Sequence, residues 1–265
     1  MLAHRTLKRV AKAAFEPRHY RALKNSILKY ERPLDGLFRY LFEAGRYPVV
    51  MPIRTPLGVV RPVIYSHHDM LTINEIFCRE DYLCGEQIET VVDIGSNIGI
   101  SGLYFLTRNS TSFVYLFEPL PRNAARLLKN LDGFKKRFEF WPVAVALWDG
   151  EAEMGVEETG RYGGIGLGRE TNLRVTCRKA SSVLREVLDK HAEIDVLKID
   201  IEALEDEILA SIPEDMLRSI KHIFIERGYT KNPLPSTHDY TQDGPIARFR
   251  RKAGVLESMA KEENA

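Results

Sequence analysis

Nothing in this 265-residue chain approaches the roughly 20 consecutive apolar residues needed to span a bilayer. Charges also occupy the N-terminal stretch where a secretory leader needs its apolar centre. Cysteine is scarce: Cys78, Cys84 and Cys177 cannot all pair, and no C-x-x-C spacing offers a metal site. They read as reduced, buried thiols, and the expected location is cytoplasmic. An excess of one charge is missing too. Lys and Arg number 38 against 37 Asp and Glu, a net charge of +1, so no nucleic-acid partner is expected of the molecule as a whole. What is present is a core-forming composition, 44% apolar and 28% charged, with room for one principal domain plus appendages.

The chain is organised around VVDIGSNIGISGLYF, Val91 to Phe105. An apolar run ends in Asp93, a turn of small residues follows, and then apolar residues at helical spacing: a buried parallel strand feeding a tight loop and a helix. Gly95 and Gly99 bracket the loop, around Ser96 and Asn97. A dinucleotide fingerprint places glycine where Asn97 stands, so that backbone can touch a pyrophosphate; the asparagine side chain suits a nucleoside without phosphate there. FVYLFEPLPRN then reads as a second strand, Phe113 to Phe117, ending in Glu118 and Pro119. A carboxylate at that tip is placed to accept hydrogen bonds from both hydroxyls of a ribose. Acidic residue, glycine loop and second acidic residue are the layout of an S-adenosylmethionine site. Glycines recur in GRYGGIGLG, residues 160–168, but no Gly-Lys-Ser/Thr ending follows, which disfavours a nucleoside triphosphate. That loop reads either as a lid or as a plain hairpin connection between two alternating segments.

VVDIGSNIGI, YLFEPLPRN, VAVALWDGEAEM and VLKIDIEALEDEIL, in that order, resemble the FkbM-type methyltransferases, from about Arg54 to Arg227. The resemblance implies a class I, Rossmann-like doubly wound α/β sheet with helices on both faces, and S-adenosylmethionine as cofactor. It implies methyl transfer to a hydroxyl of a sugar, glycan or other small polar metabolite. Cofactor contacts are expected from Asp93, Gly95, Ser96, Asn97, Gly99, Glu118 and Pro119. Ala144 and Val145, at the end of a third strand FEFWPVAV, are expected beside the adenine, and Tyr82 over the loop. Methylation at nitrogen or carbon is the alternative. So is a cofactor-binding module without chemistry, because Ala203 stands where the family has glycine and the C-terminus reads as short.

The fourth strand, Ile194 to Ile199, ends at Asp200, and the fifth, Lys221 to Ile225, ends at Glu226. Asp200 is the expected base or orienter for the acceptor, with Glu226 beside it. Such a pair is also able to hold a divalent ion, although no metal is predicted. Lys198, inside its strand, needs a carboxylate partner if buried. Glu202 and Glu205 fall in the following helical turn, where negative charge suits the macrodipole.

Three segments surround this core, and the expected divisions are 1–60, 61–230 and 231–265. Residues 1–32 carry nine Lys/Arg against Glu16 and Glu31. Leu7, Val10 and Ala14, then Leu23, Ile27 and Tyr30, recur at helical spacing, with Pro17 between the sets. They read as helices packing one face on the core, or as a basic arm meeting a membrane or anionic surface. The proline-rich stretch 47–66 predicts short edge strands or a hairpin at Leu57-Gly58, and the next segment a helix capped by Asp69 or Thr72. His67 and His68 are adjacent and not expected to share an ion. Ser181 or Ser182 is the expected cap of SSVLREVLDKH. Residues 231–265 read as loop, short basic helix and polar tail, so the sheet is expected to stop early, with the hairpin ahead of the fourth strand supplying antiparallel members. That exposed edge then calls for a cover from residues 47–66 or for a homodimer contact.

Overall fold

The structure is a computed structural model that describes residues 17–156, 163–165, 171–201 and 204–255. The predicted helical residues Leu7, Val10 and Ala14, most of the glycine loop 160–168, and Glu202 and Ala203 lie outside the described residues. The chain forms two compact units, Met1–Leu83 and Cys84–Ala265.

In the first unit, α1 (Pro17–Lys29) and α2 (Pro33–Phe42) each open on a proline, whose missing N–H is harmless in a first helical turn. Short strands follow: β1 (Val49–Val50), β2 (Ile53–Thr55), β3 (Gly58–Val60) and β4 (Val63–Ile64). β2 and β3 form the expected hairpin, with Thr55 opposite Gly58. Then α3 (His67–Ile73) runs into one wider turn of π-helix, Asn74–Cys78. The cap of α3 is Ser66, not Asp69 or Thr72. Asp69 is the third helical residue of a reciprocal box: Ser66 Oγ accepts from Asp69 N at 3.2 Å, and Asp69 Oδ2 accepts from Ser66 N at 3.1 Å.

α1 is rotated from its expected setting. Tyr30 is buried, but Ala22 and Ser26 share its face, while Leu23 and Ile27 point outward, about half exposed. The reason is polar. The wide turn leaves carbonyls that need donors, and Asn25 Nδ2 donates to Cys78 O at 2.8 Å while Lys29 Nζ donates to Phe77 O at 2.8 Å. Ser26 Oγ accepts from Asn74 Nδ2 at 3.1 Å. These bonds fix which face of α1 turns inward.

The second unit is built on a seven-stranded sheet. In chain order its elements are β5 (Thr90–Ile94), α4 (Ile100–Leu106), β6 (Phe113–Phe117), α5 (Pro121–Asn130), β7 (Phe138–Trp141), β8 (Ala144–Ala146), β9 (Gly150–Val156), β10 (Gly163–Ile165) and β11 (Thr171–Lys179). α6 (Ala180–Lys190), β12 (Ile194–Ile199), α7 (Glu205–Ser211), α8 (Glu214–Arg218), β13 (Ile220–Ile225), β14 (His238–Asp243) and β15 (Ile246–Arg251) complete it. The sheet order is β14-β15-β13-β12-β5-β6-β7, with β15 antiparallel to both neighbours and the central five strands parallel. Every residue of β5 and β12 is buried, as continuous apolar runs in parallel strands require. Ile94, Ile199 and Ile225 from the strands pack with Val183 and Val187 of α6 and Ile208 of α7 in one core.

Three expectations are corrected here. The C-terminal region is not loop and helix: β14 and β15 form a hairpin closed by Gly244 (φ 64) and Pro245, with Asp243 opposite Ile246. Ala247 and Phe249 are buried on alternate positions, so an Asp-Gly turn between alternating segments carried the signal. The sheet therefore does not stop early. Its fifth strand, β13, is covered by β15, and neither residues 47–66 nor a second copy is needed to cover that edge. Second, Pro142 ends the third strand at Trp141, because proline cannot donate to the ladder. Ala144 and Val145 leave the main sheet and pair with β11 in a separate four-stranded sheet, β10-β9-β11-β8. Third, that hairpin adds no members to the main sheet. Ser181 and Ser182 sit inside α6; the residue before the helix is Lys179, whose N donates to Asp149 Oδ1 at 2.9 Å.

Candidate active site

The carboxyl ends of β5, β6, β12 and β13 converge on one edge of the parallel sheet. Asp200 N donates to Ile94 O at 3.1 Å, which draws the end of β12 onto the start of the glycine loop. Gly95 takes φ 82, and a Cβ there would lie 1.9 Å from Asp200 O. Only glycine lets the two strand ends meet so closely. Asn97 also has positive φ, 48, a region that asparagine tolerates better than most residues.

Four bonds tie the loop to its flanking strands, three to β6 and one to β5. Gly95 N and Ser96 N both donate to Phe117 O at 3.0 Å, Ser96 Oγ donates to Asp93 O at 2.8 Å, and Ser96 Oγ accepts from Phe117 N at 3.1 Å. Ser96 is thus a buried fastener between strands. Gly99 begins α4 with φ 85, and its Cα lies where a Cβ would come within 3.1 Å of Leu127 on α5. Gly95 and Asn97 are the partly exposed members of the loop, and Ser96 and Gly99 the buried ones.

Glu118, directly after β6, is 5% exposed. Its Oε2 accepts from Asn97 N at 2.9 Å and its Oε1 from Leu120 N at 3.0 Å and Asn123 Nδ2 at 3.4 Å. Burial nevertheless pushes its carboxyl up to about 7. Three N–H donors do not replace the water that a carboxylate loses. Pro119 is half-buried beside it.

A buried ion cluster lies beneath the loop. Lys198 Nζ stands 2.9 Å from Asp93 Oδ1 and 3.2 Å from Asp200 Oδ2, and donates to Gly95 O at 3.0 Å. Burial alone would lower the lysine, but Asp200 and Asp93 hold it well above its usual range. Asp93 has no exposed surface, and its Oδ2 accepts from Ser101 Oγ at 2.6 Å. It faces inward, toward the lysine and α4. Asp200 differs: its side chain is 35% exposed, one oxygen on the lysine and the group open to the sheet edge. Ile199 and Ile225 are in register on adjacent strands, so Glu226, exposed, follows its strand as Asp200 follows β12. Glu205, at the start of α7, is buried, and burial together with the Asp200 charge raises its carboxyl.

The sequence reading brought Asp200, Glu226, Glu118 and the glycine loop to one edge, and the structure puts them there. Ala144 and Val145 are buried, in the small sheet and the main core respectively; the end of the third strand is Trp141, whose O accepts from Glu118 N at 3.3 Å. Tyr82 is buried in the other compact unit. Asn123 and Ser101, which hold Glu118 and Asp93, went unrecognised. Each is a short polar residue on a helix facing a strand, which no periodicity marks. Among the described residues no group of three His, Cys, Asp or Glu is arranged to hold a metal ion, none of the three cysteines is paired, and no helix is long and apolar enough to cross a membrane.

No curated protein matches this chain. Similar solved structures include a methyltransferase from Geobacter sulfurreducens, at 13% identity and a TM-score of 0.40 over 68% of this chain and 78% of that one. TrmK from M. capricolum, in complex with S-adenosyl-homocysteine, is 12% identical with a TM-score of 0.34 over 68% of each chain. Fibrillarin, a pre-rRNA processing protein from Methanococcus jannaschii, is 13% identical with a TM-score of 0.36 over 63% of this chain and 67% of that one. The model of the methyltransferase FkbM domain matches residues 93–243, more than half the chain and the whole span from Asp93 to the C-terminal hairpin: the chain belongs to the FkbM methyltransferase domain family and is an S-adenosylmethionine-dependent methyltransferase.

Proposed function

We propose that the enzyme methylates a hydroxyl oxygen of a sugar, a glycan or another small polar metabolite. The observation that carries this reading is Asp200. It is an accessible carboxylate at a strand end, held by a buried lysine, with Glu226 on the adjacent strand. A hydroxyl is a weak nucleophile that gains from a positioned base, about 10²–10⁴-fold. A neutral amine acceptor has less need of one.

The residues also fit the cofactor. Glu118 is a buried carboxylate with its charge under-compensated, and two ribose hydroxyls would supply the missing donors at roughly 1.5–3 kcal/mol each. Gly95 and Asn97 present partly exposed backbone beside it, and Pro119 flanks it. S-adenosylmethionine bound there supplies an electrophilic methyl group on sulfur. Asp200 receives the acceptor's hydroxyl proton on its carboxylate. Lys198, 3.2 Å away, pairs with that carboxylate and fixes its direction, and Asp93 helps keep the lysine charged. Holding the acceptor oxygen in line is worth more than the proton transfer, because pre-orientation removes up to about 7–11 kcal/mol of barrier.

No nucleic-acid acceptor is proposed. Residues 84–265 hold 24 Lys/Arg against 29 Asp/Glu, an acidic balance that disfavours a phosphate backbone. The test is calorimetric titration with S-adenosylmethionine, then an acceptor screen over free sugars and nucleosides, with and without Mg²⁺. Micromolar binding that disappears in Glu118→Ala, together with sugar-dependent turnover lost in Asp200→Asn, is the expected result. Turnover on amine acceptors that survives Asp200→Asn would refute the hydroxyl reading.

A further inference from the structure

The rotation of α1 leaves a surface that methyl transfer does not use. Tyr20, Leu23, Ile27 and Leu28, at positions i, i+3, i+7 and i+8, are all at least half exposed on one side of that helix. On α2, Leu34, Phe38, Leu41 and Phe42 repeat the pattern, with Leu34 85% exposed and the two phenylalanine rings 5.2 Å apart. Soluble surfaces scatter single apolar residues. Two consecutive helices that each turn four large ones outward are a different case, and such patches mark interaction sites.

Charge selects the partner. Residues 1–46 hold eleven Lys/Arg and four Asp/Glu, whereas the rest of the chain is net acidic. Within α1, α2 and their flanks, Lys24, Arg32 and Arg46 are exposed. Two of the few acids are already neutralised, Asp35 by Arg39 at 3.0 Å and Glu31 by Arg61 at 3.0 Å. A second copy of this face would bring like charge against like. Residues 1–16 would as well, since they add Arg5, Lys8, Arg9 and Lys12 against a single acid. An anionic bilayer answers both features: acyl chains take the apolar stripes and headgroups take the cations, whose long stems reach up from a buried helix.

We propose that α1 and α2 form an interfacial membrane anchor that seats the enzyme on anionic lipid. The mode is peripheral, with the helices lying in the headgroup plane. It is independent of the acceptor chemistry, so its failure and the failure of the methyl-transfer reading are separately visible.

The experiment is co-sedimentation of the full chain with vesicles of phosphatidylcholine alone and of phosphatidylcholine mixed with phosphatidylglycerol. The wild type binds the anionic vesicles and is released by high salt. Leu34→Ser/Phe38→Ser/Phe42→Ser, all at exposed positions, weakens binding at least about tenfold, and Lys24→Glu/Arg32→Glu does likewise. Circular dichroism and calorimetric titration with S-adenosylmethionine confirm that both variants remain folded. Equal binding to neutral vesicles, no binding by the wild type, or binding unchanged in both variants would overturn the proposal. So would a wild-type dimer, seen by light scattering, that the triple serine variant dissolves while vesicles bind neither form.

Discussion

Lys198 Nζ lies 2.9 Å from Asp93 Oδ1, and neither side chain has more than 1% of its surface exposed. Asp93 comes from β5, which leads into the glycine loop, and Lys198 from β12, which ends at Asp200, and the two are opposite in register. The pair therefore joins the strand that leads into the glycine loop to the strand that ends at Asp200. Lys198→Met leaves Asp93 buried without its counter-charge. The expected loss is about 3–5 kcal/mol in urea unfolding, and Asp93→Asn/Lys198→Met should recover part of it, because the double variant strands no charge. A loss under about 1 kcal/mol would mean that water reaches the pair.

Asp200→Asn is expected to leave cofactor affinity nearly unchanged and to lower kcat about 10²–10⁴-fold. Single-turnover rates alongside calorimetry separate the two quantities. Weakened cofactor binding in the variant would instead place Asp200 in the cofactor pocket.

Gly95→Ala forces a Cβ against Asp200 O, 1.9 Å away, at φ 82. The left-handed conformation alone costs roughly 1–2 kcal/mol, and the clash spreads the ends of β5 and β12. Stability and cofactor affinity should both fall. Gly133→Ala meets nothing within 4 Å and serves as the neutral control in the same thermal melts.

The proposed ribose contact at Glu118 predicts a pH dependence for cofactor binding. Its carboxyl sits near 7 in the folded protein and at 4.5 ordinarily. Between those values the folded chain holds a proton that the unfolded chain has released, so stability falls as pH rises from about 4.5 to about 7 and levels off above. The full difference is about 3 kcal/mol for a group buried so completely. Ribose hydroxyls donate best to the ionised form, so S-adenosylmethionine affinity should rise through the same window. Glu118→Gln should flatten both curves; a slope that persists there belongs to another group.

His238 acts with the opposite sign. Burial lowers its ring to about 4 from 6.5, with Nε2 against Ile220 O at 3.1 Å and Nδ1 against Thr237 Oγ1 at 2.9 Å. The folded chain keeps it neutral where the unfolded chain would protonate it. Stability therefore declines as pH drops from about 6.5 toward 4. His238→Gln should lack that part of the acid limb, and amide exchange should show β14 and β15 opening first in the wild type.

The central strands were legible because burial on both faces leaves an apolar run with no second interpretation. Phe113–Phe117 and Ile194–Ile199 fall on their predicted residues. Asp200 and Glu226 were readable for the same reason, each being the first acidic residue after such a run. The C-terminal hairpin was not: Arg248 and Arg250 alternate with Ala247 and Phe249 on β15, and basic residues at that spacing also suit a short helix. Tyr30 marked the buried side of α1 correctly, yet Leu23 and Ile27 did not share it, because the carbonyls of Phe77 and Cys78 claimed Lys29 and Asn25 instead.

The sequence by itself determined the parallel sheet, the glycine loop and the acidic residues at the strand tips, since those depend on apolar runs and on conformations that glycine permits. Only the tertiary structure decided how each acid is buried and paired. Asp93 and Asp200 are both strand-end aspartates, and the difference between a buried counter-charge and a partly exposed carboxylate is set by where Lys198, about a hundred residues from the loop, delivers its ammonium group.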